Sequence, residues 1–123
     1  DLTNKSAGLG GGPQAEVDKI TDYAVTVADR GTLFTASTAD VNFTLPAVQA
    51  GLVYEFLRLD EFEMIITAAT AVIVTFNNAA ATTLTYTTAG QQIGAYVRIE
   101  SNAAGDAWYA TILGGGGHQL DVA

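Results

Sequence analysis

The sequence predicts an all-β fold, either an antiparallel β-sandwich or a jelly-roll-like barrel, with an extended N-terminal arm. Apolar residues recur at every second position in short segments such as residues 41–45, which is the period of a strand that buries one face. Turn compositions rich in Gly, Asn and Asp separate these segments. Sixteen threonines suit a pleated, half-exposed surface, and helical periods are scarce. Since βαβ units would need such periods between strands, the pattern favours antiparallel packing.

Residues 1–20 differ in composition from the rest of the chain. Residues 7–13 contain four glycines and end in Pro13, and such a backbone holds neither a helix nor a strand ladder without help. We therefore predict an extended arm over residues 1–20. A short helical turn over residues 13–20 is an alternative within it, because proline suits a first helical position and Glu16 and Asp18 favour the positive end of a helix.

The β domain is predicted over residues 21–113, followed by a glycine-rich tail over residues 114–123. One domain is expected, because single cores of roughly 100–150 residues are the common case. Gly, Asn or Asp stands where the backbone must reverse between strands. The candidate strands are residues 23–27, 32–35, 41–45, 52–59, 63–67, 71–76, 82–87, 94–101 and 107–113.

Two of these candidates are apolar on both faces. In residues 52–59 and again in residues 71–76, large apolar side chains occupy consecutive positions. An antiparallel strand with one solvated face should be polar on that face, so such strands are either central in two-layer packing or covered by another subunit. The second option predicts an oligomer whose interface includes Leu57 and Leu59.

Composition narrows the classes of partner. The chain has 5 basic and 13 acidic residues, a formal net charge of −8, and an acidic chain repels phosphate backbones unless its cations are clustered. No apolar run reaches the roughly 18 residues of a membrane span, and no cysteine is present for disulfides or thiolate chemistry. We expect no direct nucleic-acid partner, no membrane partner and no cofactor. The cations are scattered, at Lys5, Lys19, Arg30, Arg58 and Arg98.

Residues that could carry catalysis do not form a recognisable set. His118, the single histidine, follows four glycines, which is poor support for a general base or a metal ligand. Asp60, Glu61 and Glu63 form the densest acidic group. A solvated turn is favoured for this group over a partner-binding patch, and a metal site is the third alternative, because exposed carboxylates are the usual case. The sequence predicts a protein that is not an enzyme, with no catalytic, metal or cofactor-binding residue.

Several segments occur in a recognisable order: residues 24–31 (AVTVADRG), a short strand with Phe34, residues 42–47 (NFTLPA), residues 51–56 (GLVYEF) and residues 105–109 (GDAWY). Together they resemble a β module that is frequent in virion proteins of tailed bacteriophages, notably head decoration (capsid cement) proteins and head or tail fibres. The resemblance covers roughly residues 21–113. The arm is similar to the arms of small head-decoration proteins.

The resemblance implies a structural virion protein, a homotrimer on the outer surface of the capsid. Its copies would bind the major capsid protein and reinforce the junctions between capsid subunits. No catalytic residue is carried over. The capsid contacts would be made by the arm, and its candidate residues are Leu2, Leu9, Pro13 and Val17.

The alternative function is a receptor- or glycan-binding domain of a phage head or tail fibre. Glycan sites use exposed aromatic rings with polar residues on neighbouring loops, and the local group with this composition is Asn102, Asp106 and Trp108. Trp108 and Tyr109 occupy opposite faces of one strand candidate, so one of the two rings could face outward. Core packing is nevertheless the favoured role for these aromatics.

Overall fold

The computed structural model describes residues 15–75, 78–87, 89–113 and 120–123. The regular secondary structure of this part of the chain is almost entirely β, with one short 3-10 turn at Val27–Asp29. The strands are β1 (Ala15–Lys19), β2 (Tyr23–Ala24), β3 (Thr32–Ala36), β4 (Val41–Thr44), β5 (Val53–Arg58), β6 (Met64–Thr67), β7 (Ile73–Thr75), β8 (Asn78–Ala81), β9 (Thr83–Tyr86), β10 (Tyr96–Ser101), β11 (Trp108–Leu113) and β12 (Asp121–Val122).

The strands form two sheets that pack on each other. One sheet has seven strands in the order β1-β3-β5-β10-β11-β7-β8, and the other has five in the order β12-β9-β6-β4-β2. The predicted all-β sandwich is therefore confirmed. Both sheets are mixed, however, since five of the ten pairings among the described strands are parallel.

The parallel pairings arise from the path of the first half of the chain. From β1 to β6 the chain passes to the opposite sheet after every strand, so that β1, β3 and β5 lie side by side and parallel, as do β2, β4 and β6. This path is a three-turn coil with one strand of each turn in each sheet. The expectation of antiparallel neighbours was wrong here because consecutive strands pack across the core instead of pairing in one sheet.

All nine strand candidates coincide with observed strands, with small differences at their ends. The first is the most altered, because Val27 belongs to the 3-10 turn instead of to β2. Three observed strands, β1, β8 and β12, had no candidate. The helical turn considered over residues 13–20 is absent from the described part of that segment, since Ala15–Lys19 forms β1.

Strand β1 also changes the extent of the predicted arm. It pairs in parallel with β3 over five residues, from Ala15 opposite Thr32 to Lys19 opposite Ala36. The second half of the segment assigned to an arm is thus an edge strand of the larger sheet. Residues 1–14 of the arm lie outside the described residues. At the other terminus, residues 114–119 of the predicted tail, including His118, also lie outside them, and Asp121–Val122 pairs with β9.

The core fills the space between the two sheets. Phe34 and Phe56 of the larger sheet and Phe43 of the smaller one are fully buried. The Phe43 ring centroid lies 5.5 Å from that of Phe34 and 4.9 Å from that of Phe56. Trp108 is 1% exposed and lies 6.1 Å from the Tyr54 ring. The Phe43 contacts join one sheet to the other, whereas Trp108 and Tyr54 pack within the larger sheet. Each buried aromatic side chain contributes about 1.5–3 kcal/mol through removal from water.

Candidate interaction surfaces

Three connections of the coil lie at one edge of the molecule. Since β1, β3 and β5 are parallel neighbours, the segments that leave their carboxyl ends, residues 20–22, 37–40 and 59–63, stack beside one another. The start of β10 joins the same edge, because the Arg58 and Ala95 backbones pair through a 2.9 Å hydrogen bond. We call this edge the arc end.

Two aspartate side chains at the arc end accept hydrogen bonds from backbone N–H groups at the ends of the strand pairings. Asp22 and Asp40 each stand immediately before a strand of the five-stranded sheet. Asp22 Oδ1 accepts a hydrogen bond of 2.9 Å from the Asn42 N–H, and Asp40 Oδ1 accepts one of 2.8 Å from the Glu63 N–H. Each carboxylate therefore satisfies a backbone donor of the next turn of the coil, where the strand ladder has not yet begun.

The acidic group around residue 61 has a structural role that sequence reasoning missed. The Glu61 carboxylate accepts hydrogen bonds from the backbone N–H groups of Gly90, Gln92 and Ile93, at 3.1 Å for the last two. It thereby ties the loop before β10 to the connection after β5. Among the residues that the structure describes, no group of three or more His, Cys, Asp or Glu could hold a metal ion.

Arg58 is a buried cation at the arc end. Its side chain is fully buried, Nε donates to the Asp60 carbonyl at 2.9 Å, and its guanidinium carbon lies 5.4 Å from the centre of the Phe62 ring. Burial lowers the pKa of Arg58, an effect that the negative charges of Asp60, Asp40 and Asp18 oppose. The sequence contained a signal for this position, because Arg58 continues the alternation of Tyr54 and Phe56, whose side chains enter the core.

Four large apolar side chains are exposed at the arc end. Lys19 and Arg58 lie on either side of Ala36 in the sheet register. Ile20 and Leu59 come directly after them, so Ile20 and Leu59 occupy equivalent positions in the first and third turns of the coil. The exposed fractions are 57% for Ile20, 47% for Leu59, 39% for Phe62 and 55% for Ile93. We call these four residues the arc-end patch.

The outer face of the seven-stranded sheet carries both apolar and charged side chains, since Glu55, Arg98 and Glu100 share it with Leu57. Leu57 lies half-buried on the outer face of the seven-stranded sheet, opposite Thr35 on one side and Tyr96 on the other. On the same sheet Tyr109 pairs with Val74, and both are exposed, by 48% and 37%. The outer face of the five-stranded sheet carries one isoleucine, Ile65, among threonine and asparagine side chains, at Asn42, Thr44, Thr67, Thr83 and Thr85.

Leu57 and Leu59, predicted to share an oligomer interface, are at the end of this outer face. Leu59 lies one residue beyond β5, yet its N–H still bonds to the Ala36 carbonyl at 2.9 Å. The two-residue spacing therefore continues past the strand. Burial separates the two residues, because Leu57 is partly covered by its neighbours whereas nearly half of Leu59 is exposed.

The group suggested for glycan binding serves the loop and the core. Asn102 Oδ1 accepts hydrogen bonds from the N–H groups of Gly105 and Asp106 at 2.8 and 2.9 Å, and Asn102 Nδ2 donates to Asp106 Oδ1 at 2.7 Å. Trp108 is buried, so its ring presents no surface to a sugar. Tyr109 is the outward-facing aromatic of this strand. Strand alternation predicted that either Trp108 or Tyr109 would face outward.

The arm residues proposed for capsid binding are mostly beyond what the structure describes. Leu2, Leu9 and Pro13 lie outside the described residues. Val17 lies in β1 and is 36% exposed. Its strand is an edge strand, and among the described strands it pairs on one side only.

A scan of protein-family models, a search of curated proteins and a search of solved structures each found no match to this chain. Within residues 15–75, 78–87, 89–113 and 120–123, no helix is long and apolar enough to cross a membrane. The candidate interaction surfaces are therefore inferred from the exposed residues of this chain alone. The two candidates with exposed apolar side chains are the arc-end patch and the outer face of the seven-stranded sheet.

Proposed function

We propose that this protein is a structural virion protein that decorates the outer surface of a bacteriophage capsid by binding the major capsid protein. The observation that carries the proposal is the unequal surface of the sandwich. Exposed apolar side chains concentrate at the arc end and on the outer face of the seven-stranded sheet, whereas the outer face of the five-stranded sheet is rich in threonine. Such asymmetry suits a module that is bound on some surfaces and solvated on others. The virion setting comes from the sequence resemblance.

Homotrimeric assembly belongs to the same proposal. Leu57 supplies a half-buried apolar side chain on the outer face that a second copy could cover, in keeping with the two-faced apolar pattern of β5. Glu55 and Arg98, which pair on the same face, would lie beside this contact. A trimer presents three identical capsid-binding surfaces. Multivalency would then strengthen attachment without requiring a strong individual contact.

The physical effect of decoration would be to oppose the separation of capsid subunits. A protein that binds the intact capsid more tightly than its separated subunits stabilises the intact state by linkage. Adding saturating protein to capsids assembled without it should raise the temperature at which they release DNA. Bovine serum albumin at equal concentration provides a control for non-specific protein effects.

The same experiment separates this proposal from the fibre alternative. An unchanged release temperature, together with no co-sedimentation with capsids, would contradict the decoration function. A glycan array provides the second measurement, and Tyr109→Ala is the appropriate variant because that ring is exposed. Specific glycan binding that this variant abolishes would favour a receptor-binding domain.

A further inference from the structure

The arc end combines clustered apolar exposure with a dense negative charge. Four of the seven exposed large hydrophobic residues in the described part of the chain lie there. Patches of this kind on soluble proteins mark interaction sites more often than scattered apolar residues do. Six of the chain's 13 acidic residues lie in the connections or just before them: Asp18, Asp22, Asp40, Asp60, Glu61 and Glu63.

Two cations, Arg58 and Lys19, lie near the arc end and offset part of its negative charge, but the six carboxylates outnumber them. Arg58 is fully buried, and Lys19 Nζ lies 3.7 Å from the centre of the Tyr23 ring. A partner with acidic residues at the contact would therefore meet like charges around an apolar centre. A partner with Lys or Arg around apolar side chains would be complementary in both respects.

We propose that the arc-end patch docks on a basic surface of the capsid subunit, with apolar side chains of that subunit seated on Leu59, Phe62 and Ile93. The identity of the partner rests on the proposed function, whereas the chemistry of the contact rests on the patch. A second copy of this chain is disfavoured as the occupant, because two acidic arc ends would repel each other in a chain of net charge −8.

The hydrogen bonds at the arc end hold this surface in place. Glu61 fixes the loop that carries Ile93, and Asp40 fixes the backbone at Glu63. Asp18 accepts hydrogen bonds from the Thr35 and Ser37 hydroxyls at 2.8 and 2.7 Å. A surface ordered before binding loses less conformational entropy on docking, so these carboxylates favour affinity as well as complementarity.

The test compares two double variants of the full chain in co-sedimentation with undecorated capsids. Leu59→Ser with Ile93→Ser alters the arc-end patch. Thr44→Ser with Thr83→Ser, on the outer face of the five-stranded sheet, is the control, because that face is assigned neither to the capsid contact nor to the trimer. The arc-end variant should bind about tenfold more weakly or worse, as expected for loss of a central apolar contact, and the control should bind as the wild type does. Wild-type binding should weaken as salt is added.

Asp60→Lys provides an independent variant if the double variant is poorly folded by circular dichroism. It reverses a charge at the patch and should also weaken binding, whereas Glu16→Lys on the exposed edge strand should not. If the wild type binds capsids and neither arc-end variant binds more weakly, the proposal that the arc-end patch is the docking surface is wrong, and the proposed decoration function still stands. A wild type that does not bind capsids would instead contradict the decoration function. A change of oligomeric state in the arc-end variant would assign the patch to a second copy and overturn the proposal.

Discussion

Two buried side chains in the described part of the chain retain a polar atom without a hydrogen-bond partner, Nη2 of Arg58 and the hydroxyl of Tyr86. An unsatisfied buried donor or acceptor carries a desolvation penalty of about 1–3 kcal/mol. Tyr54 offers a direct comparison, because it is equally buried but its hydroxyl donates to the Thr26 carbonyl at 2.8 Å. Burial raises the pKa of each tyrosine to about 12.

Tyr86→Phe should leave stability at neutral pH unchanged or raised, because it removes a hydroxyl that has no partner. Tyr54→Phe should lower it by about 0.5–1.5 kcal/mol, the usual net contribution of one hydrogen bond. Urea unfolding of the two variants checks the pair. A larger loss for Tyr86→Phe than for Tyr54→Phe would show that the Tyr86 hydroxyl has an important partner.

The same variant has a signature at alkaline pH. An unfolded tyrosine ionises near 10.0, whereas folded Tyr86 keeps its proton until about 12. Wild-type stability therefore falls as pH rises across this window, since the unfolded state loses the proton first. The free energy of unfolding of Tyr86→Phe should therefore fall less steeply than that of the wild type as the pH rises from 10 to about 12. Urea unfolding at several alkaline pH values measures it.

Asp29 should contribute stability that disappears in acid. It accepts hydrogen bonds from the Tyr23 hydroxyl at 2.8 Å and the Thr26 N–H at 2.9 Å. Burial opposes its ionisation, yet these bonds lower its pKa below the ordinary 3.8. The contribution is thus present above 3.8 and is lost as pH falls through the lowered pKa.

Asp29→Ala should cost about 1 kcal/mol at neutral pH, and the difference from wild type should shrink below the lowered pKa. Denaturant unfolding of the variant and the wild type, at neutral pH and at a pH below the lowered pKa, measures this difference in the free energy of unfolding. Glu16→Ala, which removes an exposed carboxylate from the edge strand, is the control. An equal loss at both acidities would indicate that the charge of Asp29 is unimportant.

At the scale of elements, substitutions at two glycines with positive φ distinguish the cost of backbone strain from the cost of a steric clash. Gly51 has φ +85° with open space where a Cβ would stand, whereas Gly105 has φ +77° and its Cβ would lie 2.7 Å from the Ala50 backbone nitrogen. Gly51→Ala should cost about 1–2 kcal/mol from the left-handed backbone alone. Gly105→Ala should cost a further ~1–3 kcal/mol, because backbone must move. Thermal unfolding compares the two, and equal losses would refute the close approach.

Strand positions were more predictable than strand partners. Alternation identifies the buried face of a strand from its own residues, and it identified nine strands correctly. It does not reveal whether the chain next turns back in the same sheet or crosses to the other one, because both connections use Gly, Asn and Asp. The three missed strands lack the signal: β1 is mostly exposed at a sheet edge, β8 consists of Asn and Ala, and β12 is two residues long.

The interaction surfaces were predictable only in part. Leu57 and Leu59 were identified from a strand apolar on both faces, but the strand pattern did not show that Phe62 and Ile93 lie near Leu59. Phe62 belongs to the same connection as Leu59 but lies outside any strand, and Ile93 comes from the loop before β10. Asp60, Glu61 and Glu63 were seen as a group, whereas the backbone partners of Glu61, 29 to 32 residues away, could not be predicted from local sequence.

At the scale of the whole molecule, the proposed trimer would use the outer face of the seven-stranded sheet around Leu57. Leu57→Glu should convert a trimer to a monomer, because a charge on a covered apolar face would be desolvated without a partner. Light scattering measures the mass in solution. Thr44→Glu is the control, on the exposed outer face of the other sheet. A monomeric wild type would contradict the trimer, and an unfolded Leu57→Glu would show that Leu57 belongs to the core.

The most direct test of the proposed decoration function is electron cryo-microscopy of virions of the phage proposed as the source of this protein, with and without the protein. The account predicts density for the two-sheet module at repeated positions on the outer surface of the capsid, with the arc end against the capsid subunit. That density should be lost when the protein is omitted and return when it is added. A capsid surface that is identical in both samples would contradict the account.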